Sequence, residues 1–99
     1  MVIKMMLCCD VNTMKCTPAD IDRELSTFAI SFLRVSDSIW LFKYPSGWQG
    51  SYERPEVHLF YDHFEKYTVE DSSIIMLELI DRTIYYNLPE AAHNFLSKD

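Results

Sequence analysis

The chain has 99 residues, of which 48% are hydrophobic, and it contains only two glycines and four prolines. This composition excludes a disordered segment and predicts one folded domain over residues 1–99. Fifteen acidic residues against nine basic ones give a net charge of −6, which argues against a broad surface that follows nucleic-acid phosphates.

Three cysteines, Cys8, Cys9 and Cys16, make an odd number and predict reduced thiols in a cytoplasmic protein. No second cysteine pair lies at zinc spacing, and His58 and His63 are five apart, so we expect no metal site from these residue types. The apolar run that starts the chain is too short to cross a bilayer, and we expect neither a membrane span nor a targeting segment.

The first predicted element is a buried strand over residues 2–9 that ends abruptly in Asp10. A carboxylate that follows a central strand lies at the edge of the sheet, where a metal ion or a partner can reach it. Asp10 is therefore the candidate metal-binding and catalytic residue, and we expect it to be at least partly accessible. A solvated strand terminus is the alternative.

A helix is predicted from Pro18 to near Ile30. Thr17 is a suitable N-cap, proline suits the first helical position, and Asp20 in the first turn favours the helix dipole. Apolar residues recur at spacings of three and four, with Glu24 among the polar residues between them. One face of this helix should therefore be apolar and the other solvated.

Residues 31–44 are rich in aromatic and branched side chains, which predicts two strands, or one bent strand, with a kink at Ser36-Asp37. Both glycines fall within Pro45–Ser51, which predicts a loop. Trp48 in this loop either packs on the domain or contacts a partner. A second helix is predicted over Pro55–Tyr67.

The last predicted strand, Ser73–Ile80, is almost continuously apolar, which indicates cover on both faces of the sheet. Thr83–Tyr86 is predicted to be a short extended piece, and Leu88–Leu96 a terminal helix with Asn87 as a cap. The order of elements predicts an α+β, two-layer sandwich of the ferredoxin-like split βαβ type (βαββαβ). Its core spans residues 1–80, and residues 81–99 form a C-terminal extension.

The apolar side chains of the strands are predicted to divide between two sheet faces. Those that meet the helices are expected to be Ile3, Met5, Leu7, Cys9, Ile75, Leu77 and Leu79. The far face, opposite the predicted helices, should carry a partner-binding patch of Met6, Cys8, Trp40, Phe42, Ile74 and Met76. Such a patch favours a homodimer through the far face. In the alternative, the tail from Asn87 to Leu96 folds back over its own sheet.

Three short segments resemble one known family. They are Asp10-Val11 after an apolar strand, Arg34-Val35-Ser36-Asp37-Ser38-Ile39-Trp40, and the strand from Asp71 to Ile80. The chain is similar here to the CRISPR-associated adaptation endoribonucleases, the Cas-two family. The tail Asn87-Leu88-Pro89-Glu90-Ala91-Ala92 resembles the SinR-like relatives of that family.

The resemblance implies a homodimer linked to nucleic-acid processing. In the family, the strand-end aspartate of each subunit approaches its twin across a two-fold axis, and the pair is thought to hold a divalent metal. By resemblance that residue is Asp10, and the ion is Mg²⁺ or Mn²⁺, as suits a metal-dependent endonuclease. Members of the fold also act without catalysis. The alternative function is thus a non-catalytic acidic inhibitor, of the antitoxin or anti-defence type, that binds a basic protein partner.

Overall fold

The computed structural model describes residues 2–45, 62–79 and 89–98. This part of the chain contains the strands β1 (Val2–Cys9), β2 (Ser31–Ser36), β3 (Ile39–Pro45) and β4 (Ile74–Leu79). It also contains the helices α1 (Pro18–Phe28) and α2 (Glu90–Ser97) and the 3₁₀ turns Val11–Thr13 and Glu65–Tyr67. Three predictions fall wholly or partly outside the described residues: the loop with Trp48, the extended piece Thr83–Tyr86, and residues 55–61 of the second predicted helix.

The four strands form one antiparallel sheet in the order β2-β3-β1-β4. The segment from Ser31 to Pro45 is two strands rather than one bent strand, and the register of the hairpin shifts between Arg34 and Ser36. β1 is central and pairs with β3 on one side and β4 on the other. The fold is therefore α+β with a four-stranded antiparallel sheet, compatible with a two-layer sandwich.

Helix α1 begins with the capping box that the sequence predicts. The Thr17 side chain accepts from the backbone N–H of Asp20, and the Asp20 carboxylate accepts from the backbone N–H of Thr17. The helix ends at Phe28, two residues before the predicted end, with Ala29 as its C-cap. Ile21 and Leu25 on its apolar face are fully buried.

The helix face of the sheet is the side that α1 covers. Its core consists of Met5, Leu7, Cys9, Ile21, Leu25, Trp40, Phe42 and Phe64. Phe64 follows Asp62 and His63 in a short helical stretch at the end of the second predicted helix. The described end of that helix therefore packs on the same sheet face as α1, as predicted.

The face prediction was wrong for four of the six residues of the predicted far-face patch, which lie on the helix face instead. Trp40 and Phe42 stand opposite Leu7 and Met5 in the β1–β3 register and are fully buried on the helix face. Directly opposite residues share a sheet face, because side chains alternate along each strand.

The same correction applies to β4. Ile74 and Met76 stand opposite Cys9 and Leu7, and both pack against the helix-face core. The residues predicted to meet the helices, Ile75, Leu77 and Leu79, stand opposite Cys8, Met6 and Lys4 on the far face. Of the six residues of the predicted far-face patch, only Met6 and Cys8 lie on the far face, whereas the β1 residues Ile3, Met5, Leu7 and Cys9 meet the helices as predicted. β4 is apolar at every position but one, and its single polar residue, Glu78, lies on the helix face together with Ile74 and Met76, so the pattern does not indicate the inward side.

The far face is partly covered by α2, as in the alternative in which the tail folds back. Leu41, Ala92 and Leu96 are buried there, and Met6 and Leu79 pack against them. The helix begins at Glu90 with Pro89 as its N-cap residue, not with the predicted Asn87. Neither described helix has the length and apolar character that a membrane crossing requires.

Two lysines hold the C-terminal end of α2 on the far face. The Lys4 ammonium donates a hydrogen bond to the Leu96 carbonyl, which lies in the last turn, where the helix dipole favours a cation. Lys43, only 6% exposed, places its ammonium 4.4 Å from the centre of the Phe95 ring. These contacts and the apolar core beneath them fix α2 over one half of the far face.

Candidate functional site

Asp10 lies where β1 ends and is exposed, as predicted. Its backbone N–H donates to the Ser73 carbonyl at 3.2 Å, so the residue continues the sheet beside β4. Its Oδ1 accepts from the backbone N–H of Asn12 at 3.1 Å and caps the 3₁₀ turn Val11–Thr13. In the described part of the chain, Oδ2 has no hydrogen bond and remains available to a ligand.

Hydrogen bonds join the turn after Asp10 to the segment before β4. The Ser72 hydroxyl donates to the Thr13 carbonyl at 2.8 Å, and the backbone N–H of Ser73 donates to Thr13 Oγ1 at 3.2 Å. The backbone N–H of Lys15 donates to the Tyr67 carbonyl at 2.7 Å. The position of Asp10 is therefore fixed by bonds between residues about sixty apart in sequence, which no local pattern indicates.

A depression of about 560 Å³ opens on one side of Asp10. Its lining residues are Asp10, Val11, Asn12, Pro18, Asp37 and Ser38. This set supplies two carboxylates, an amide and a hydroxyl, and it contains no lysine or arginine. Oxygen ligands of this kind suit a hard cation, whereas a phosphate group needs cations around it.

A second, smaller groove of about 310 Å³ lies on the other side of Asp10, at the part of the far face that α2 leaves uncovered. Its lining residues are Cys8, Cys9, Asp10, Ser38, Ile39, Ser73 and Ile75. Ile75 is 59% exposed and Leu77, next on the same side of β4, is 48% exposed. Asp10 thus stands between an acidic depression and an uncovered apolar surface.

A metal site is not complete in one copy of the described residues. No three His, Cys, Asp or Glu side chains in residues 2–45, 62–79 and 89–98 lie close enough together to hold an ion. Asp10 and Asp37 are the carboxylates that line the depression, and the Arg34 guanidinium lies 3.5 Å from the Asp37 carboxylate. A third His, Cys, Asp or Glu ligand must come from another molecule or from residues outside the described part.

The three thiols are free and poorly suited to nucleophilic or metal chemistry. Burial, together with the nearby Cys16, Cys8 and Asp10, raises the pKa of Cys9 to about 12. Burial likewise raises the pKa of Cys8, and burial together with Asp20 raises that of Cys16. Because the thiolate is the reactive form, these side chains act as small apolar residues near neutral pH.

Glu24 forms a charged cluster that the sequence pattern did not predict. It was expected on the solvated side of α1, yet it is only 8% exposed. Its carboxylate contacts His63 Nδ1 at 3.1 Å and Lys66 Nζ at 2.5 Å, and the His63 ring stacks on Phe28 with centroids 4.1 Å apart. Glu24 thereby joins α1 to the segment 62–67.

This cluster predicts an acid-sensitive contribution to stability. Burial alone raises the pKa of Glu24, but the hydrogen bonds and charges of Lys66 and His63 outweigh it, so the pKa lies below the ordinary 4.5. A lowered folded-state pKa stabilises the protein above pH 4.5 and ceases to do so as the pH falls through the folded value. Glu24→Gln is expected to cost about 1–3 kcal/mol at pH 7 and to flatten the loss of stability below pH 4.5.

Urea unfolding followed by circular dichroism between pH 3 and pH 7 measures this dependence. Lys66→Met, which removes one partner of the carboxylate, is expected to flatten the same acid limb in part. Identical acid limbs in the wild type and Glu24→Gln would show that the cluster does not set the pH dependence.

The structure does not gather the predicted site residues into one place. Asp10 and Cys8 meet at the uncovered groove, and Met6 lies beside α2. Trp40, Phe42, Ile74 and Met76 belong to the helix-face core, and Trp48 lies outside the described residues.

Comparison of the chain with protein-family models, with curated proteins and with solved structures finds no match.

Proposed function

We propose that the chain is a homodimeric ferredoxin-like module of the Cas-two and SinR-like type that hydrolyses phosphodiesters of nucleic acid with Mg²⁺ or Mn²⁺. The observation that carries the proposal is the position of Asp10, exposed at the end of the central strand and directly beside an uncovered apolar groove. The three free thiols favour a reducing compartment such as the cytoplasm.

The strand order supports the ferredoxin-like fold. β1 and β2 are joined through α1 and separated in the sheet by β3, and β4 lies on the other side of β1. Two interleaved βαβ units produce this order with antiparallel neighbours. The second crossover would pass through the helical stretch that ends at Phe64 and the turn Glu65–Tyr67.

The uncovered apolar surface supports a dimer in which Asp10 lies close to Asp10 of the second copy. Cys8, Ile39 and Ile75 line the groove beside Asp10, and Leu77 extends the surface along β4. A two-fold contact lets one such surface satisfy itself. If the axis passes near the groove, the two Asp10 side chains approach each other.

Two Asp10 carboxylates would supply the ligands that one chain lacks. Oδ1 keeps its hydrogen bond to the Asn12 N–H, which orients the carboxylate, and Oδ2 is available to a cation. Asp37 in the same depression adds negative charge. When bound, a divalent cation supplies charge for the phosphate group and lowers the pKa of bound water. The acidic depression repels a phosphate without such a cation.

A nuclease assay on RNA and DNA with Mg²⁺ or Mn²⁺ tests this function. Asp10→Asn keeps an oxygen that can cap the turn but removes the charge, so it is expected to fold normally and to lose at least about 100-fold in rate. Asp71→Asn, an exposed carboxylate before β4, is the matched control and should keep full activity. Equal rates for the wild type and Asp10→Asn would contradict the proposal.

A second candidate is a non-catalytic acidic protein that binds and inhibits a basic partner. It is favoured by the absence of lysine and arginine from the lining of the Asp10 depression and by the net charge of −6. The same assay separates the two functions. The binding protein has no nuclease activity with either metal, in the wild type or in Asp10→Asn.

A further inference from the structure

Among the described residues, no strand pairs with the outer side of β4, and this open edge differs from the opposite edge, which is formed by β2. β4 pairs with β1 without interruption, from Lys4 opposite Leu79 to Cys9 opposite Ile74. Its sequence, IIMLEL, contains no proline, lysine or arginine. At the opposite edge, the register of β2 is irregular between Arg34 and Ser36, and side chains of β2 pack in the core beneath α2. Bulges, basic residues and covering elements are what protect natural edges from pairing.

The register shows which backbone groups of β4 point outward. Asp10 donates its N–H to the Ser73 carbonyl, so these residues form a hydrogen-bonded pair. In an antiparallel ladder such pairs recur at every second residue. Ile75 and Leu77 are therefore the β4 residues whose backbone groups form hydrogen bonds with β1. The backbone N–H and C=O groups of Ile74 and Met76 consequently point away from β1, toward the open edge.

The exposed apolar side chains of β4, which an added strand could contact, lie only on the far face. Ile75 and Leu77 project to that side and are 59% and 48% exposed. Ile74 and Met76 project to the helix face and pack against its core. A strand added at this edge would bury Ile75 and Leu77 against its own alternate side chains.

The charge along this edge has one sign. Residues 70–79 contain no lysine or arginine, and Glu70 and Asp71 before the strand are exposed. A second copy of the chain would bring its own Glu70 and Asp71 and no complementary charge. A strand flanked by lysine or arginine would complement this charge and gain in both affinity and rate of association.

From the open edge, its exposed apolar pair and its acidic flank, we infer that β4 binds an extended segment of a basic partner protein by strand addition. The bound segment has apolar residues at alternate positions, which face Ile75 and Leu77, and basic residues beside Glu70 and Asp71. Main-chain hydrogen bonds to Ile74 and Met76 supply affinity, and the alternate side chains supply specificity. The inference rests on the second candidate function, the binding of a basic protein. It adds that the binding surface is the edge of β4 and that the bound part of the partner is extended.

The probe is a synthetic peptide of alternating lysine and valine. Titration calorimetry measures its affinity for the full chain. Leu77→Lys is expected to weaken binding at least about tenfold. Ala91→Lys places the same charge change on an exposed position of α2 and should leave binding within about twofold of the wild type. Amide hydrogen exchange at Ile74 and Met76 should slow when the peptide binds.

A peptide methylated at every backbone nitrogen has no N–H group on either edge, and it decides, without any protein variant, whether strand pairing is involved. The inference requires that this peptide fail to bind. Equal binding of both peptides, or unchanged exchange at Ile74 and Met76, would overturn it. Poly-L-lysine distinguishes strand addition at β4 from binding through negative charge alone. If poly-L-lysine binds as well as the alternating peptide, the acidic binding function stands and strand addition fails; if neither binds, both fail.

Discussion

Replacing Trp40 with alanine is expected to lower the free energy of unfolding by about 3–5 kcal/mol. The Trp40 side chain is 0% exposed in the helix-face core. Its indole Nε1 also donates a hydrogen bond to Asp22 Oδ1 at 2.8 Å. The Asp22 carboxylate in turn lies 3.2 Å from the Arg34 guanidinium. The substitution therefore removes a large buried ring and the bond that ties β3 to α1.

Trp40→Phe separates the two contributions. It keeps most of the ring but loses the indole N–H, and we expect a cost of about 1–3 kcal/mol. Urea unfolding followed by circular dichroism measures both variants, and light scattering measures their mass. The sequence interpretation placed Trp40 on a partner surface. If Trp40→Ala weakens self-association and leaves the unfolding curve unchanged, Trp40 lies on a partner surface and not in the helix-face core.

Replacing Leu96 with alanine is expected to cost about 2–5 kcal/mol. The Leu96 side chain is 5% exposed and packs in the far-face core with Leu41 and Ala92. The hydrogen bond from Lys4 to the Leu96 carbonyl involves only the backbone of residue 96, so the variant keeps it. The loss therefore reports the apolar contact that holds α2 on the sheet.

Asn94→Ala, an exposed position on the same helix, is the control and should change stability by no more than about 0.5 kcal/mol. Limited proteolysis provides a second readout, because α2 should be cleaved faster when its anchor is weakened. If the two variants have equal stability and equal cleavage rates, α2 is not docked on its own sheet as the structure shows.

The elements that the sequence predicted best are those with a local signal. Thr17 and Asp20 form a capping box whose two partners are three residues apart, and the helix begins where this pattern indicates. Asp10 ends an apolar run, and the structure places it at the end of β1 and exposed. In both cases the information lies within a few neighbouring residues.

The face assignments failed because they depend on pairing between distant strands. The run around Trp40 and Phe42, like the β4 strand, is apolar at successive positions, so a shift of one residue looks equally good in sequence. Only the β1–β3 register, with Leu7 opposite Trp40, decides the side. Glu24 was missed for a related reason, since its partners His63 and Lys66 lie about forty residues away.

The proposed nuclease function requires that two chains bring their Asp10 carboxylates to one divalent ion. Calorimetric titration with Mn²⁺, with the mass measured by light scattering in the same buffer, tests it most directly. We predict about one ion bound per two chains and a mass twice the 11.7 kDa of the chain. Asp10→Asn should keep the doubled mass and lose the ion. A monomer mass with or without Mn²⁺, or Mn²⁺ binding that Asp10→Asn leaves intact, would contradict the proposed function.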